Sequence, residues 1–443
     1  MQHFFLFCYF IVLNHKIFKI TIFIQIKNKI INKPWKDLVE ANYYIFLHAK
    51  KNNFQNRFNK DSKWYTMCVN KGLDPIYTKI YLSPEKDWKR IKDMLPEYKD
   101  VLDLFDDEEH EVFFDVNAHF DDLEYFIRSN KSPNYSFVYD QVVSVGELVS
   151  TTIVSHYLNY SGLKNNWIDV RPLIKTDNNY RDAQLDWETT QKLITKSIKK
   201  KSLNITQGFL GSDENNFTTT LGREGSDYTA AIFAYCLGAE SVTIWKDVPG
   251  VLNADPRYFE NAVLLNQISY REAIELAFYG ASVIHPKTLQ PLQKKEIPLF
   301  VKSFINPTLP GTSVSRGADL IPQTSCFIVK KNQLLLSLSS IDFDFIMENH
   351  ISEIFALFAK YKVKVNLIQN TAISFSVCIE DKYGNFEELR KILAKKFKVA
   401  YNENVSLYTI RHFDENAAKV VETNKTILLR QISRETMQVI TKE

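Results

Sequence analysis

Apolar residues recur at helical spacing through the first part of the chain. Between about residues 34 and 130 they repeat in a Lys/Asp/Glu-rich background, and residues 136–155 and 186–201 continue the pattern. This spacing predicts helices joined by polar turns. Asp186 directly precedes its apolar stripe, so we expect it to cap the helix that follows.

The hydrophobic pattern changes after residue 204. Apolar runs at 205–210, 241–245 and 299–304 predict strands, and residues 227–237 and 270–279 predict helices between them. Alternating strands and helices with short glycine-bearing connections are typical of an α/β layer on a largely parallel sheet. Ligands of such sheets bind beyond the carboxyl ends of the strands.

A linker rich in proline and glycine, residues 306–322, precedes a different pattern. The apolar runs beyond it predict a βαββαβ module, with strands at 334–339, 363–368 and 373–379 and helices at 350–361 and 386–396. A weaker second copy follows, with strands at 405–411 and 426–431 and little room for a helix between them. Small modules of this kind are commonly regulatory, by analogy between folds.

Glycine is distributed unevenly. Of the 13 glycines, Gly72 alone falls within residues 1–145, whereas seven lie between Gly208 and Gly280. Loops that cradle phosphate need glycine, because their backbone N–H groups must approach the anion closely. We therefore expect no such loop in the first third of the chain; if the protein contacts phosphate through its backbone, it does so between Gly208 and Gly280.

Composition and charge narrow the class of protein. With 24% charged residues and a formal net charge of +3, the chain is typical of a globular protein and carries no basic stripe for nucleic acid. Its five cysteines are scattered without C-x-x-C spacing, which favours a reducing cytoplasmic setting over disulfides or a zinc site. The apolar run at residues 4–13 is too short to span a membrane, and we expect either a buried strand or sequence outside the native fold.

The densest candidate site is T-T-T-L-G-R-E-G-S-D, residues 218–227, directly ahead of a predicted helix. Its glycines shape a turn, and the free N–H groups of the helix favour an anion there. Arg223 suits a carboxylate or phosphate, and Asp227 suits an amine, a metal or a hydroxyl donor. In the alternative interpretation Ser226 and Asp227 cap the helix and Arg223 pairs with Glu224; the segment alone does not separate the two.

Two further segments follow predicted strand and helix ends. In W-K-D-V-P-G-V-L-N-A-D-P-R, residues 245–257, Lys246 and Arg257 are placed to contact phosphates and Asp247 a ribose, although a plain polar loop is the alternative. In residues 278–286 a helix ends at a glycine, and His285 precedes a proline. A histidine in that place is more often a structural hydrogen-bonding residue than a general base.

Four segments together resemble the signature blocks of the aspartokinase family, in the order that family uses: residues 143–150, 219–230, 244–257 and 279–286. Residues 351–355 and 363–379 similarly resemble the ACT domains of that family. The resemblance, closest to the monofunctional form, implies an α/β fold: an amino-acid-kinase-like three-layer sandwich with a largely parallel sheet, followed by βαββαβ (ferredoxin-like) ACT modules. The expected divisions are 1–45, an atypical segment; 46–315, the kinase domain; 325–400, a first ACT domain; and 401–443, a partial second one.

The resemblance also implies an activity, which is transfer of the γ-phosphoryl group of ATP, with Mg²⁺, to the β-carboxylate of L-aspartate. Glu147 would hold the amino group of aspartate and Arg223 its α-carboxylate, with Ser226 and Asp227 beside the transferring group. The nucleotide pocket would comprise Lys246, Asp247, Leu252 and Arg257, with Ser282 and Val283 near the adenine. No residue is assigned as a metal ligand. A homodimer through the ACT domains and an amino-acid effector are also implied, and neither a nucleic acid nor a membrane partner is expected.

The sequence departs from the family pattern at its start. Members of the family open with a K-F-G-G-[TA]-S-V block, whose lysine and glycines contact the phosphates, and continue with a K-T-T-N block; neither occurs here. Glu224 also replaces the commoner glycine of G-R-G-G-S-D. Two hypotheses follow: a working aspartokinase whose N-terminal sequence is wrong or incomplete, or a non-catalytic homologue that serves as an ACT-mediated binding or assembly module.

Overall fold

The computed structural model of the chain describes residues 3–13, 16–26, 105, 109–198, 202–281, 283–341 and 345–442, the first two ranges by their backbone alone. The helices predicted between residues 34 and 104 lie outside the described residues, as does Ser282.

The helices, numbered along the described chain, are α1 (Glu111–Ser129), α2 (Tyr135–Tyr160), α3 (Trp187–Ser197), α4 (Gly225–Leu237), α5 (Tyr270–Tyr279), α6 (Pro286–Lys295), α7 (Glu348–Lys360), α8 (Phe386–Leu393) and α9 (Glu415–Glu422). The strands in the first part are β1 (His3–Leu13), β2 (Lys16–Ile26), β3 (Asn165–Ile168), β4 (Leu203–Gln207), β5 (Leu210–Ser212), β6 (Thr218–Thr220), β7 (Val242–Lys246), β8 (Gln267–Ser269), β9 (Leu299–Ser303) and β10 (Thr312–Ser315). Those in the C-terminal part are β11 (Cys326–Ser340), β12 (Lys364–Asn370), β13 (Ser374–Glu380), β14 (Phe397–Arg411), β15 (Thr426–Ile432) and β16 (Thr436–Lys442).

The chain divides into two compact units. The first comprises Met1–Val251, Asn266–Ala273 and Ile284–Asp319, and the second comprises Leu252–Leu265, Ile274–Val283 and Leu320–Glu443. The second unit therefore combines the C-terminal part of the chain with two short segments that interrupt the first.

The first unit is built on an eight-stranded sheet in the order β3-β4-β1-β2-β7-β9-β10-β8. Strands β3, β4, β1, β7 and β9 run in one direction, which makes the sheet largely parallel as predicted. Strands β1 and β2 pair in antiparallel fashion in the middle of the order, so the apolar run near the N-terminus is a strand. Helices α2 and α4 both pack on this sheet.

Local sequence explains where several of these helices begin. The Asp186 side chain accepts a hydrogen bond from the Thr189 amide, which confirms the predicted cap of α3. Helix α4 consists of apolar and small residues, and its stretch Ala230 to Ala234 is completely buried. A helix that is apolar on every side belongs inside a protein, and α4 accordingly packs against the sheet, α3 and α6.

The second unit contains a six-stranded antiparallel sheet in the order β12-β13-β11-β14-β16-β15. The predicted βαββαβ module is present as β11, α7, β12, β13, α8 and β14, with a core of apolar side chains from all six elements. The expectation of little room for a helix between the strands of the second copy is wrong. The eight-residue helix α9 fits there because only three residues separate it from the end of β14. The last of them, Asp414, caps the helix by accepting from the Ala417 amide at 2.7 Å.

Candidate functional site

The carboxyl ends of two parallel strands and the beginning of a buried helix meet at one edge of the first sheet. Strand β4 ends at Gln207 and strand β7 at Lys246, and both run in the same direction. The Phe209 amide donates to the Thr229 hydroxyl at 2.9 Å, which ties the chain after β4 to the first turn of α4. This is the edge at which ligands of parallel sheets bind.

The β5–β6 hairpin leads into the turn before α4, and helix α2 holds it in place. The Gln141 side chain donates to the Thr218 carbonyl at 2.7 Å and accepts from its amide at 3.2 Å. One residue earlier, the completely buried Asp140 accepts from both the amide and the hydroxyl of Thr220, each at 2.9 Å. Gln141 and Asp140 on α2 therefore fix the backbone that enters the turn.

Asp140 is unusual among these residues because it titrates near neutral pH. Its Oδ2 atom accepts from the Arg181 amide at 3.0 Å as well as from the Thr220 amide. Burial nevertheless raises its pKa from 3.8 to about 6, since the hydrogen bonds offset only part of the desolvation cost. A single carboxyl group thus joins α2, β6 and the loop that contains Arg181.

The turn itself requires left-handed backbone conformations. Gly222 has φ +80°, and a Cβ there would come within 2.7 Å of Asp182 Oδ1. Glu224, which precedes α4, has φ +53°, a region that glycine adopts without strain. On the other side, Gly208 lies so close to Ser226 that a Cβ would meet the serine Oγ at 2.2 Å. The glycines therefore bring two backbone segments together around the first turn of α4.

A buried ion pair lies at the centre of this edge. Lys246 Nζ at the end of β7 is 2.9 Å from Asp227 Oδ2 in the first turn of α4, and the two side chains are 9% and 1% exposed. The other carboxylate oxygen of Asp227 is buried and has no hydrogen-bond partner among the described residues. An unpartnered buried oxygen beside a lysine indicates a place prepared for a further polar or charged group.

One more carboxyl group, that of Glu224, affects the charge of this pair. Burial raises the pKa of the Asp227 carboxyl, and Lys246 opposes that shift. Burial also disfavours the charged form of Lys246, but the carboxylates of Asp227 and Glu224 outweigh it and raise the pKa of the lysine. Burial likewise raises the pKa of Glu224, whose carboxylate accepts from the His285 amide. Lys246 is thus a buried cation that two carboxyl groups keep protonated.

The comparisons with known proteins agree with this arrangement. Residues 63–303 match the model of the amino acid kinase family, which is more than half of the chain. The chain belongs to this family. It is also 36% identical over 244 residues to lysine-sensitive aspartokinase 3 of Escherichia coli (strain K12), a match that covers 54% of this chain and 54% of that protein. The matched part of the chain thus spans about half the length of this relative.

Solved structures show the same fold over most of the chain. The structure of E. coli aspartokinase III in complex with lysine and aspartate covers 83% of this chain and 87% of its own, with a TM-score of 0.68 at 26% identity. The complex of the same enzyme with aspartate and ADP covers 80% and 83%, with a TM-score of 0.66 at 26% identity. The resemblance to the aspartokinase family and the expected fold class are thereby confirmed.

Within this member of the amino acid kinase family, the residues predicted for the aspartate site occupy different environments. Ser226 and Asp227 are buried in the first turn of α4 and are not its caps, since the N-cap is Glu224. Arg223 is 71% exposed, and its Nε is 4.0 Å from Glu224 Oε1, the limit of an ion pair. Glu147 is a buried carboxylate, 4% exposed, on α2.

The residues predicted for the nucleotide pocket are divided between the two units. Lys246 and the exposed Asp247 belong to the first unit, whereas Leu252, Arg257 and Val283 belong to the second. The Arg257 guanidinium is 77% exposed and is held by Asp255, with Nη2 at 2.5 Å from Oδ2.

The structure agrees with the structural interpretation of the histidine. His285 caps α6, and its Nδ1 accepts from the Lys287 amide at 3.1 Å. Burial lowers the pKa of His285, and the positive charges of Lys287 and Arg223 add to that shift.

Two residues with buried polar side chains did not stand out in the sequence: Asp140, which holds the turn before α4, and Asn253 in the second unit. Asp140 lies seven positions before Glu147, two turns earlier on the same face of α2, and an acidic residue on the buried face of a helix was the signal available. Asn253 lies in the segment after β7 and is buried. The sequence did not indicate this burial, because the segment has the composition of a polar loop.

A cavity of about 600 Å³ opens in the C-terminal sheet and contains none of the predicted site residues. It is lined by Lys331, Asn332, Tyr401, Asn402, Glu403, Asn404, Ser406 and Lys442. Among the described residues, no helix combines the length and apolar character needed to cross a bilayer.

Proposed function

We propose that the chain is an ATP-dependent aspartate kinase that phosphorylates the β-carboxylate of L-aspartate. The product would be 4-phospho-L-aspartate, the first intermediate on the route to lysine, threonine and methionine. The observation that carries the proposal is the buried Lys246–Asp227 pair at the carboxyl ends of parallel strands, at the start of a helix. The proposal is supported by the solved complex of E. coli aspartokinase III with aspartate and ADP, which is similar to this chain.

Phosphoryl transfer depends on positioning and on neutralising charge more than on covalent chemistry by the protein. Lys246 supplies a cation that its carboxylate partners keep protonated. The N-terminus of α4 supplies backbone N–H groups and the positive end of a helix dipole. Arg223, with an exposed planar fork, suits the α-carboxylate of aspartate, and the buried carboxylate of Glu147 suits its amino group.

The residues present also fit Mg²⁺ that arrives with ATP. In kinases Mg²⁺ is bound mainly by substrate phosphates and by one or two carboxylates of the protein. No group of three or more His, Cys, Asp or Glu side chains that would hold a metal occurs in the described part of the chain. Asp227, with its unpartnered buried oxygen, is the residue that would hold the ion. The metal would neutralise the negative charge of the phosphates.

Three further proposals concern the assembly of the chain, its control by an effector and its location in the cell. We propose that the ACT modules pair two copies of the chain and bind an amino-acid effector, as the resemblance implies. We also propose a cytoplasmic location, because the five cysteines are scattered along the sequence without C-x-x-C spacing, a pattern that suits a reducing compartment. Light scattering of the purified chain, with and without lysine or threonine, would test the first two proposals.

The function is tested by measuring ADP formation in a coupled assay, with and without L-aspartate and with L-glutamate as a competing acceptor. We expect ADP formation that depends on aspartate and that is lost in Lys246→Met. The matched control is Lys192→Met, which removes an exposed lysine on α3. Nucleotide binding without aspartate-dependent ADP formation would contradict the proposal and favour the non-catalytic homologue.

A further inference from the structure

The loop that follows β7 is fastened to the first strand of the C-terminal sheet. Residues 252–265 lie in the same compact unit as that sheet, although they are more than 60 residues from it along the chain. The loop contains Leu252 and Arg257, two of the residues predicted to contact nucleotide. Whatever holds this loop in place therefore also positions two residues predicted to bind ATP.

Asn253 makes this attachment with all of its polar groups. Within the loop, its amide donates to the Val263 carbonyl at 2.9 Å, and its Oδ1 accepts from the Val263 amide at 2.8 Å. Towards the sheet, its Nδ2 donates to the Ser325 carbonyl at 2.9 Å, and its carbonyl accepts from the Phe327 amide at 2.7 Å. Asn253 is 7% exposed, so these bonds are shielded from water.

A backbone bridge and a contact between aromatic rings add to the hydrogen bonds of Asn253. Ala254 forms a parallel bridge with Phe327, and the rings of Phe259 and Phe327 lie 5.1 Å apart between centroids. The loop is therefore held at Asn253, beside Leu252, and again at Phe259, two residues beyond Arg257.

The second predicted nucleotide segment rests on the same strand. Gly280 has φ +124°, and a Cβ there would lie 2.9 Å from Lys330 Cε and 3.6 Å from Ile328 Cγ2. Strand β11 thus contacts both segments of the second unit that the sequence assigns to the nucleotide.

We infer that Asn253 is a positioning residue: it fastens the nucleotide loop to strand β11, and this attachment determines the affinity of the protein for ATP. The inference rests on the proposed function. A loop held in its binding conformation loses less conformational freedom when the ligand binds, so a weaker attachment lowers the affinity for nucleotide. Aspartate is assigned to residues of the first unit, and its binding is expected to stay unchanged.

The test uses Asn253→Asp, which keeps the acceptor for the Val263 amide but replaces the donor to Ser325 with a carboxylate oxygen. We expect KM for ATP to rise about three- to tenfold, with kcat and KM for aspartate within about twofold of the parent. The matched control is Asn385→Asp, because Asn385 also donates to a backbone carbonyl, that of Tyr361, at 2.9 Å. The control is expected to keep the parent value of KM for ATP.

A second variant, Phe259→Leu, loosens the other point of attachment without placing a charge in the unit. It is expected to show the same selective rise. In both variants the Phe327 amide, which donates to the Asn253 carbonyl, is expected to exchange its hydrogen faster than in the parent. Parent-like KM for ATP despite faster exchange at Phe327, or an equal rise in both KM values, would overturn the inference.

Calorimetric titration with ATP alone separates this inference from the proposed function. If the parent binds ATP but forms no aspartate-dependent ADP, the proposed function fails. The inference then stands or falls on whether Asn253→Asp weakens ATP binding relative to Asn385→Asp.

Discussion

At the residue scale, Asp140 gives the chain a pH-dependent contribution to stability. The folded state raises its pKa from 3.8 to about 6, so between these values the folded chain holds a proton that the unfolded chain has released. Its contribution is therefore present at low pH and is lost as pH rises through 6. We expect the parent to lose about 2–3 kcal/mol of unfolding free energy relative to Asp140→Asn between pH 4 and pH 7.

An asparagine suits this place because it retains the hydrogen bonds of the neutral acid. Its oxygen accepts from the Arg181 and Thr220 amides, and its nitrogen donates to the Thr220 hydroxyl. Denaturant titrations of the two proteins across this range measure the difference. Asp186→Asn is the control of opposite sign, because the hydrogen bond from Thr189 lowers the pKa of Asp186. A difference between the parent and Asp140→Asn that is independent of pH would contradict the assignment.

Glu224 combines a strained backbone with a buried charge, and two substitutions separate these effects. Its φ of +53° favours glycine, whereas alanine at the same place keeps the strain and loses the carboxylate. We expect Glu224→Gly to be more stable than Glu224→Ala by about 1 kcal/mol in thermal or denaturant unfolding.

Both Glu224 variants remove a negative charge near a site proposed for anionic substrates. Each is expected to show a lower KM for aspartate or ATP than the parent in the coupled assay. Equal stability of the two variants would show that the turn tolerates a side chain without strain.

At the element scale, the Lys246–Asp227 pair links β7 to α4. Lys246→Met leaves the Asp227 and Glu224 carboxyl groups buried without their cation, and we expect it to lower the free energy of unfolding by about 3 kcal/mol at pH 7. The loss should shrink towards pH 5, because both carboxyl groups, whose pKa values are raised by burial, then take up protons.

Adding Asp227→Asn to Lys246→Met is expected to restore much of this stability but none of the activity. Denaturant unfolding and the coupled assay measure the two quantities on the same samples. A double variant no more stable than Lys246→Met would show that the pair does not act as a unit.

The elements of this protein were predictable where local sequence decides them. The Asp186 cap, the apolar run of α4 and the βαββαβ spacing each depend on neighbouring residues. Helix α9 was missed because only eight residues form it, and its apolar face, Ala417 and Val421, is too short to show a period. Its existence depends on packing against β14 and β16, which a local pattern does not reveal.

The resemblance named candidate residues for the site, but it did not predict their geometry. The resemblance named both Lys246 and Asp227, yet it placed one in the nucleotide pocket and the other beside aspartate. The structure shows them bonded, because the carboxyl end of β7 and the start of α4 meet at one edge of the sheet. Asp140 was missed because its three hydrogen bonds join segments 41 and 80 residues away along the chain.

At the scale of the whole molecule, the uneven distribution of glycine predicts slow catalysis. Residues 1–145 contain Gly72 alone, so the chain of 443 residues carries no glycine-lined loop there to bind phosphates. Removing one such donor or cation commonly costs about 10²–10³ in rate. We expect turnover below about one per second, and a grafted N-terminal K-F-G-G-T-S-V segment should increase it.

The most direct test of the proposed function is to trap the acyl phosphate that the reaction forms. The purified chain is incubated with ATP, Mg²⁺, L-aspartate and hydroxylamine, and the products are analysed by mass spectrometry alongside Lys246→Met and Lys192→Met. We expect aspartate β-hydroxamate in amounts matching the ADP released from the parent and Lys192→Met, and none from Lys246→Met. Absence of the β-hydroxamate from the parent, or its undiminished formation by Lys246→Met, would contradict the proposed function.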